Sequence, residues 1–327
     1  MPNSALWQAL NEGLAIQNTQ ILPQFRFENG FFIPTVGDLP PGKDTVNSVF
    51  LGGSFGPEAI LLAPGASDIP LTPVSFTTEQ VPVVMAAKGY SVQWQEARTL
   101  SQFNTDGTNL NEVVTNAKIA AVKFELSRRM ERYAVYGEPV LGHVGMYNNP
   151  NVSQLSSSFN PNTATYSDWV TFLVDLILSS GLSIDGEIIL EPTTVLMSQR
   201  ALVRASQVMN PINGMVSALE AARTQLNLPD NNNLNIEFAR SPWSAGLVLE
   251  KYGIFPPAFN KDRFIVYTKS DTVLLRRIES DVAQLVDEDF LSPTQGLTKI
   301  FPMFMCSSST IIMNPAGIRY VDVVRAT

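Results

Sequence analysis

The run LNEVVTNAKIAAVKFELSRRMERYAVY, Leu110 to Tyr136, is the best-defined element of the chain and reads as one long helix. Leu110, Val113, Val114, Ala117, Ala120, Ala121, Phe124 and Tyr133 recur at helical spacing and line up an apolar side. Asn109, three residues before Glu112, makes a capping arrangement, and Gly137 supplies the stop. At 1.5 Å per residue such a helix spans about 40 Å, much longer than average. Glu125 precedes Arg129 by four residues, and Arg128, Glu131 and Arg132 continue a charged side that faces either solvent or a partner.

Upstream of the helix, from Ser48 to Thr105, helical periodicity almost vanishes. β-Branched and aromatic runs are divided by Gly52-Gly53, Gly56-Pro57, Pro64-Gly65 and the prolines Pro70 and Pro73, which predicts a long two-stranded excursion. Its return limb, Val81 to Gln102, alternates as in Ser91-Val92-Gln93-Trp94-Gln95. A lone hairpin of this length is marginal in water and exposes backbone edges, so it should dock on something else. Before it, Leu6, Trp7, Leu10 and Leu14 mark a short amphipathic helix. Phe25, Phe27, Phe31, Phe32 and Ile33 then sit beside Gly30 and prolines, as in an extended segment laying its aromatics on another surface.

Downstream, Gly142-His-Val-Gly-Met-Tyr-Asn-Asn-Pro150 predicts a tight loop. A helix is expected from Ser167 to Leu178 on Trp169, Phe172, Leu173 and Leu176, and a short strand at Glu187-Ile-Ile-Leu-Glu-Pro192. Further helices are read between Met197 and Met209 and over Met215 to Leu226. The polar loop at 229–235 precedes a strand at Ile236 to Phe238, and another strand runs from Arg263 to Thr268. A helical turn capped by Asp271, an extended Ile278 to Val286, the acidic trio Asp287-Glu288-Asp289 and a strand at Ile300 to Met305 follow. Thr310-Ile-Ile-Met and Ile318 to Val324, joined by Asn314-Pro-Ala-Gly317, read as a hairpin.

The 327 residues are 45% hydrophobic and 16% charged, ample for one large domain or two smaller ones. No apolar run approaches the roughly 20 residues of a membrane span, and Asp175 interrupts Val170 to Leu178. The first residues lack the basic flank and continuous apolar stretch of a signal peptide. A single cysteine, Cys306, excludes an intrachain disulfide and a cysteine zinc site and fits a reducing compartment. The formal net charge of −8 argues against sequence-specific DNA binding, which collects lysine and arginine, but suits a container whose wall should not adhere to phosphates.

The catalytic inventory is poor. There is one histidine, His143, read as structural because no carboxylate partner is placed beside it. Walker and Gly-x-Gly-x-x-Gly motifs are absent, and the Gly-x-Ser-x-Gly spacing at Gly52 to Gly56 lies in the turn-rich excursion with no helical periodicity after it, so it makes no nucleophile elbow. Carboxylates remain: Glu187, Glu191, Asp287, Glu288 and Asp289 could serve a hydrolase needing only an acid pair, although a run of three acids is more often a solvated loop or a partner for a neighbour's arginines.

The order of arm, extended excursion, long helix and the glycine-rich turn ending Gly145-Met-Tyr-Asn-Asn-Pro-Asn-Val152 resembles the major capsid proteins of tailed bacteriophages, the Hong Kong 97 type that also includes encapsulin shells. The resemblance implies an α+β fold with an N-terminal arm (1–47), an extended loop and return strand (48–105), and a peripheral domain (106–189 and 263–327) carrying a spine helix (109–136). An axial domain (190–262) would complete it, with loops that meet around five-fold and six-fold axes. It also implies a non-enzymatic shell subunit without cofactor, forming hexamers and pentamers of an icosahedral virion shell around double-stranded DNA. Separate scaffolding, portal and decoration proteins, non-specific proximity to the genome, no membrane, and assembly in a host bacterial cytoplasm go with that reading. The arm begins close to Met1, so scaffolding is expected as a separate protein. Subunit contacts are expected at Phe31, Phe32, Leu61, Leu62, Lys88, Arg128, Arg132, Asp287 and Glu288. Lys88 lies where some relatives crosslink their shells, but a single lysine at loose correspondence predicts no isopeptide bond here. The alternatives are an encapsulin-like compartment around protein cargo and, from another class, the carboxylate hydrolase.

Overall fold

The computed structural model describes residues 32–37, 39, 45–53, 74–93, 110–180, 182–184, 187–190, 192–212, 214–226, 236–278, 283–284 and 298–327. The expected N-terminal helix, Phe25, Phe27, Phe31, Leu61, Leu62, Asn109, the polar loop at 229–235 and the acidic trio lie outside them. In chain order the strands and helices are β1 (Thr35–Val36), β2 (Thr45–Gly53), β3 (Val74–Gln93), α1 (Leu110–Tyr136), β4 (Gly137–Glu138), β5 (His143–Val144) and β6 (Ser153–Ser156). Next come α2 (Tyr166–Leu178), β7 (Leu182–Ile184), β8 (Glu187–Leu190), β9 (Thr194–Met197), α3 (Gln199–Gln207), α4 (Ala218–Leu226), β10 (Glu237–Arg240) and α5 (Gly246–Lys251). The chain closes with β11 (Lys261–Tyr267), β12 (Leu274–Arg277), β13 (Ala283–Gln284), β14 (Thr298–Ser308), β15 (Ile311–Ile312) and β16 (Ile318–Val324).

The long helix has the expected bounds, but its buried stripe differs from the one the alanines indicated. Ala117 and Ala121 are exposed, whereas Val122, Leu126 and Met130 are buried against Tyr90, Met303 and Met305. Alanine removes little area from water when it is covered, so the larger side chains decide which face turns inward. Below Met130 the helix enters a second core, where Ala134, Val135 and Tyr136 are all buried. Gly137 ends it at φ +69°, and a β-carbon there would lie 2.2 Å from the His143 carbonyl oxygen across the β4/β5 pair.

A five-stranded sheet, order β10-β9-β11-β16-β6, divides two apolar cores by strict alternation. Leu196, Ile265, Tyr267, Ile318 and Tyr320 face the end of α1 and α5. Val195, Met197, Phe264, Val266, Val321 and Val323 face α2, α3 and α4. Both faces are covered, which is why β9 and the second half of β11, Phe264 to Tyr267, read as apolar runs. Helix α2 begins with a capping box: the Thr165 hydroxyl accepts from the Asp168 amide, and the Asp168 carboxylate accepts from the Thr165 amide.

This sheet corrects one expectation. Ile311–Ile312 and Ile318–Val324 do not form a hairpin. β15 pairs with β12, while β16 pairs with β11 and β6. The Pro315–Gly317 turn therefore passes the chain between sheets, each of which offers it an apolar, hydrogen-bonding slot. β9 and β10, within residues 190–262, share this sheet with β6, β11 and β16. The turn expected at Ser270-Asp271 is closed by Val273 N and Leu274 N on Ser270 O (3.1 and 3.0 Å), and its cap is the Ser270 hydroxyl, which accepts from the Thr272 amide, in place of Asp271.

The remaining large sheet has the order β13-β14-β3-β2. β3 is 20 residues long, about 65 Å at strand rise. Its second half, Val83 to Gln93, pairs with β14, and its first half, Val74 to Pro82, pairs with β2. A paired excursion is present as the sequence indicated, but the limb beside β2 is Val74 to Pro82, and the expected return limb beyond Pro82 pairs with β14 instead.

Gly137→Ala combines left-handed strain with a backbone clash and is expected to cost at least about 2 kcal/mol. Gly142→Ala, at φ +73° with open space around it, should cost only about 1 kcal/mol. Urea unfolding midpoints of the two variants compare them directly, and equal losses would refute the role given to the β4/β5 contact.

Candidate functional site

The features that set the shape of the molecule converge where α1 ends. A helix terminus leaves its last carbonyls without intrahelical partners, and here that terminus is buried. Met146 N donates to Ala134 O (3.0 Å) and Tyr147 N to Val135 O (2.9 Å). The Thr310 hydroxyl adds a bond to Ala134 O at 2.6 Å, and Asn148 Nδ2 donates to Tyr136 O at 3.0 Å. Arg276, wholly buried, donates from Nη2 to Met130 O (3.1 Å) and from Nε to the Ser307 hydroxyl (2.8 Å). Gly145 makes the approach feasible, because a β-carbon would lie 2.4 Å from Val135 O.

The Gly145 to Asn149 loop is fixed in turn by a buried ion pair. Arg263 grips Asp322 with two bonds, Nε to Oδ1 (2.8 Å) and Nη2 to Oδ2 (2.9 Å), and gives Nη1 to Tyr147 O at 2.7 Å. Phe255 and Tyr320 flank the guanidinium, each ring centroid 4.8 Å away. The Tyr320 hydroxyl donates to Met146 O and accepts from Asn149 N, and the Tyr147 hydroxyl meets Ser241 and Ser244. Burial pushes the Tyr133 and Tyr147 phenols up to about 12, and raises Tyr136, Tyr267 and Tyr320 further. His143 places Nδ1 3.0 Å from the Tyr133 hydroxyl. This cluster braces the loop and presents no nucleophile with an adjacent base. Among the described residues no group of three or more His, Cys, Asp or Glu is placed to hold a metal ion, and no helix is long and apolar enough to cross a membrane.

The expected contact residues divide. Phe32 is 1% exposed in the chain's own core, and Tyr267 donates to its carbonyl at 2.7 Å. With β1 stitched to β12, this part of the arm belongs to its own subunit. Lys88 is exposed on β3 with Nζ 3.8 Å from Glu125 Oε2 on α1, an exposed pair worth at most about 1 kcal/mol. Lys118 Nζ donates to Ser91 O at 2.9 Å beside it. Arg128 is exposed, while Arg132 stacks on Tyr252 of the same chain at 4.8 Å. Glu131, expected on the charged side, is buried and accepts from Trp243 Nε1 (2.9 Å). Cys306 is half-buried on β14. Phe31, Leu61, Leu62, Asp287 and Glu288 fall outside the described residues.

Sequence reading missed two apolar protrusions. Val140 is 90% exposed just beyond α1. Ile212 and Met215, 93% and 85% exposed, crown a loop that Gly214 N to Asn210 O (2.8 Å) and Asn210 N to Val216 O (2.9 Å) hold closed. The signal was Pro211-Ile-Asn-Gly-Met215, a turn sequence carrying apolar side chains.

A family model described as "Major capsid protein" matches residues 58–324. Among solved structures the chain is similar to the capsid of Myoviridae phage XM1, with TM-score 0.64 and 12% identity over 94% of each chain. It is also similar to a structure from Mycobacterium phage Ogopogo, with TM-score 0.52 and 11% identity over 88% of this chain and 90% of that one. A third likeness is to the cyanophage Pam1 capsid, with TM-score 0.51 and 14% identity over 90% of this chain and 89% of that one. At such identities the likeness is one of fold. No curated protein sequence matches.

Arg263→Met alone strands the Asp322 carboxylate and should cost about 3–5 kcal/mol in denaturant unfolding, whereas adding Asp322→Leu should recover most of the loss. If the double variant is no more stable than the single, the pair does not act as described. Tyr133 and Tyr147 have folded values above the unfolded value near 10, so the stability they give is full below pH 10 and fades as pH rises through 12. An alkaline titration of tyrosinate absorbance should show a late fraction that ionises together with loss of far-UV circular dichroism.

Proposed function

The chain belongs to the major capsid protein family, and from that membership and its Hong Kong 97-like fold we propose that it forms hexamers and pentamers of an icosahedral shell around double-stranded DNA. A capsid subunit works as many copies, and its place is the virion shell. We further propose assembly in the host bacterial cytoplasm, separate scaffolding, portal and decoration proteins, and no catalytic role.

The observation that carries this reading is the β2/β3 ribbon. The first half of β3 has only β2 beside it among the described residues, and β2 lies at the sheet edge. A two-stranded ribbon is marginal in water, and its open edge offers unpaired backbone groups. A neighbouring copy supplies the missing surface. In the same arrangement Phe31, Leu61, Leu62, Lys88, Arg128, Asp287 and Glu288 contribute to contacts between copies. The spine helix with the β3/β14 sheet acts as the peripheral part, and the 190–262 stretch forms the axial part with the Ile212/Met215 loop toward the symmetry axis.

Electron microscopy of the purified chain, fractionated by size exclusion, should show rings, tubes or closed shells. A monomer under every condition would sink the proposal. Ile212→Ser with Met215→Ser, both at exposed positions, should leave stability within about 0.5 kcal/mol while reducing the assembled fraction. Denaturing gels of assembled particles should show no ladder through Lys88.

A further inference from the structure

A cleft of about 760 Å³ lies where the first turns of α3, the start of α5 and the residues after β16 meet. Arg200, Arg204 and Arg325 line it, and Asp262 is the one carboxylate among the lining residues. Asp262 is buried and already engaged: its oxygens accept from the Ser198 hydroxyl (2.6 Å), Gly246 N (2.8 Å) and Ala326 N (3.3 Å). It is part of the floor. Arg325 pairs with Glu250 while its buried Nε has no acceptor, and Arg204 donates Nη2 to the Thr327 backbone oxygen (2.7 Å), which leaves Arg200 as the lining arginine with no acidic side chain beside it on its helical turn.

Arg200 sits in the first turn of α3, which carries no acidic residue. The positive end of a helix dipole is the wrong place for a cation by about 0.3–1 kcal/mol, and an anion held there reverses the sign. Such a concentration of positive charge also stands out in a chain of net charge −8. The rim is not purely polar, since Val203 and Leu247 are exposed beside the arginines. Charge with adjacent apolar surface fits a peptide that carries carboxylates between apolar side chains better than it fits a bare phosphate. The chain contains such a segment: Leu285-Val-Asp-Glu-Asp-Phe-Leu291.

We propose that this cleft receives the acidic run Asp287-Glu288-Asp289 of a second copy of the chain, its carboxylates on Arg200 and Arg204 and its flanking apolar residues on Val203 and Leu247. The proposal rests on the shell reading and supplies it with a heterologous contact, in which one face of a subunit binds a different face of the next. Such contacts close into rings when the rotation between copies allows it.

The test is a charge exchange between two full-length variants. One carries Arg200→Glu and Arg204→Glu, and the other Asp287→Lys, Glu288→Lys and Asp289→Lys. Thermal melts establish that each folds. Alone, each should lose about tenfold in assembled fraction at equal protein concentration, as repulsion replaces attraction. Mixed, they should assemble together, because the reversed cleft of one meets the reversed run of the other. Single variants that assemble like the unaltered chain would overturn the proposal, as would a mixture that stays unassembled, which is the result if the run docks on its own subunit. Normal assembly of the cleft variant combined with loss of duplex DNA binding would assign the cleft to nucleic acid and equally overturn it. The unaltered chain is run alongside, and its failure to assemble would count against the shell reading itself.

Discussion

Carrying the end of a helix into an apolar core is costly unless every carbonyl there finds a donor, since each one left unpaired costs about 1–3 kcal/mol. The last turns of α1 meet this demand with groups from far along the chain: the amides of Met146 and Tyr147, the Asn148 amide, the Thr310 hydroxyl and the Arg276 guanidinium. The long helix is thus local in sequence but completed by tertiary structure. Its free-standing periodicity would build a rod, and the donors turn that rod into a strut fixed at one end. At this end of the helix, Gly137 and Gly145 are the places where backbone meets backbone too closely for a side chain.

From that fixed end the rest follows outward. The Arg263 and Asp322 pair holds the loop that feeds amides to the helix, and it lies across the β11/β16 register. A buried pair gives little net stability against an apolar alternative, but it opposes a one-residue slip, which would move both charges to the opposite face. The sheet carrying it is covered on both sides and forms the rigid body. β3 belongs to a separate sheet: half of it is held by β14 and α1, and among the described residues the other half pairs with β2 alone. A subunit built this way has a covered core and a limb with an open edge, the edge on which the proposed contact between copies is placed.

The long helix and its stop, the paired excursion, the α2 helix and the general α+β class were legible because each rests on short-range signals: periodicity, capping residues, glycine and proline. Other features were not. Ala117 and Ala121 mark a helical face as well as Val122 and Leu126 do, and only the presence of Tyr90 and Met305 decides between them. The Asn314 to Gly317 turn signals a reversal, yet nothing in it says whether the flanking strands will pair with each other or with β12 and β11. Glu131 was read with the charged side of the helix, and nothing beside Arg263 or Arg276 in the sequence marks them as buried, because their partners lie far along the chain.

By itself the sequence determined most of which segments are helix, strand or turn, and the net charge of the chain, since these depend on neighbours within a few positions or on totals. Tertiary structure alone decided which side of the helix is inside, which strands share a sheet, that Phe32 belongs to its own core, and that three arginines gather around one cleft. Those outcomes depend on contacts between residues more than a hundred positions apart, such as Thr310 with Ala134 and Tyr267 with Phe32. Such pairings are settled by the total burial and hydrogen bonding of the folded chain, which no local pattern records.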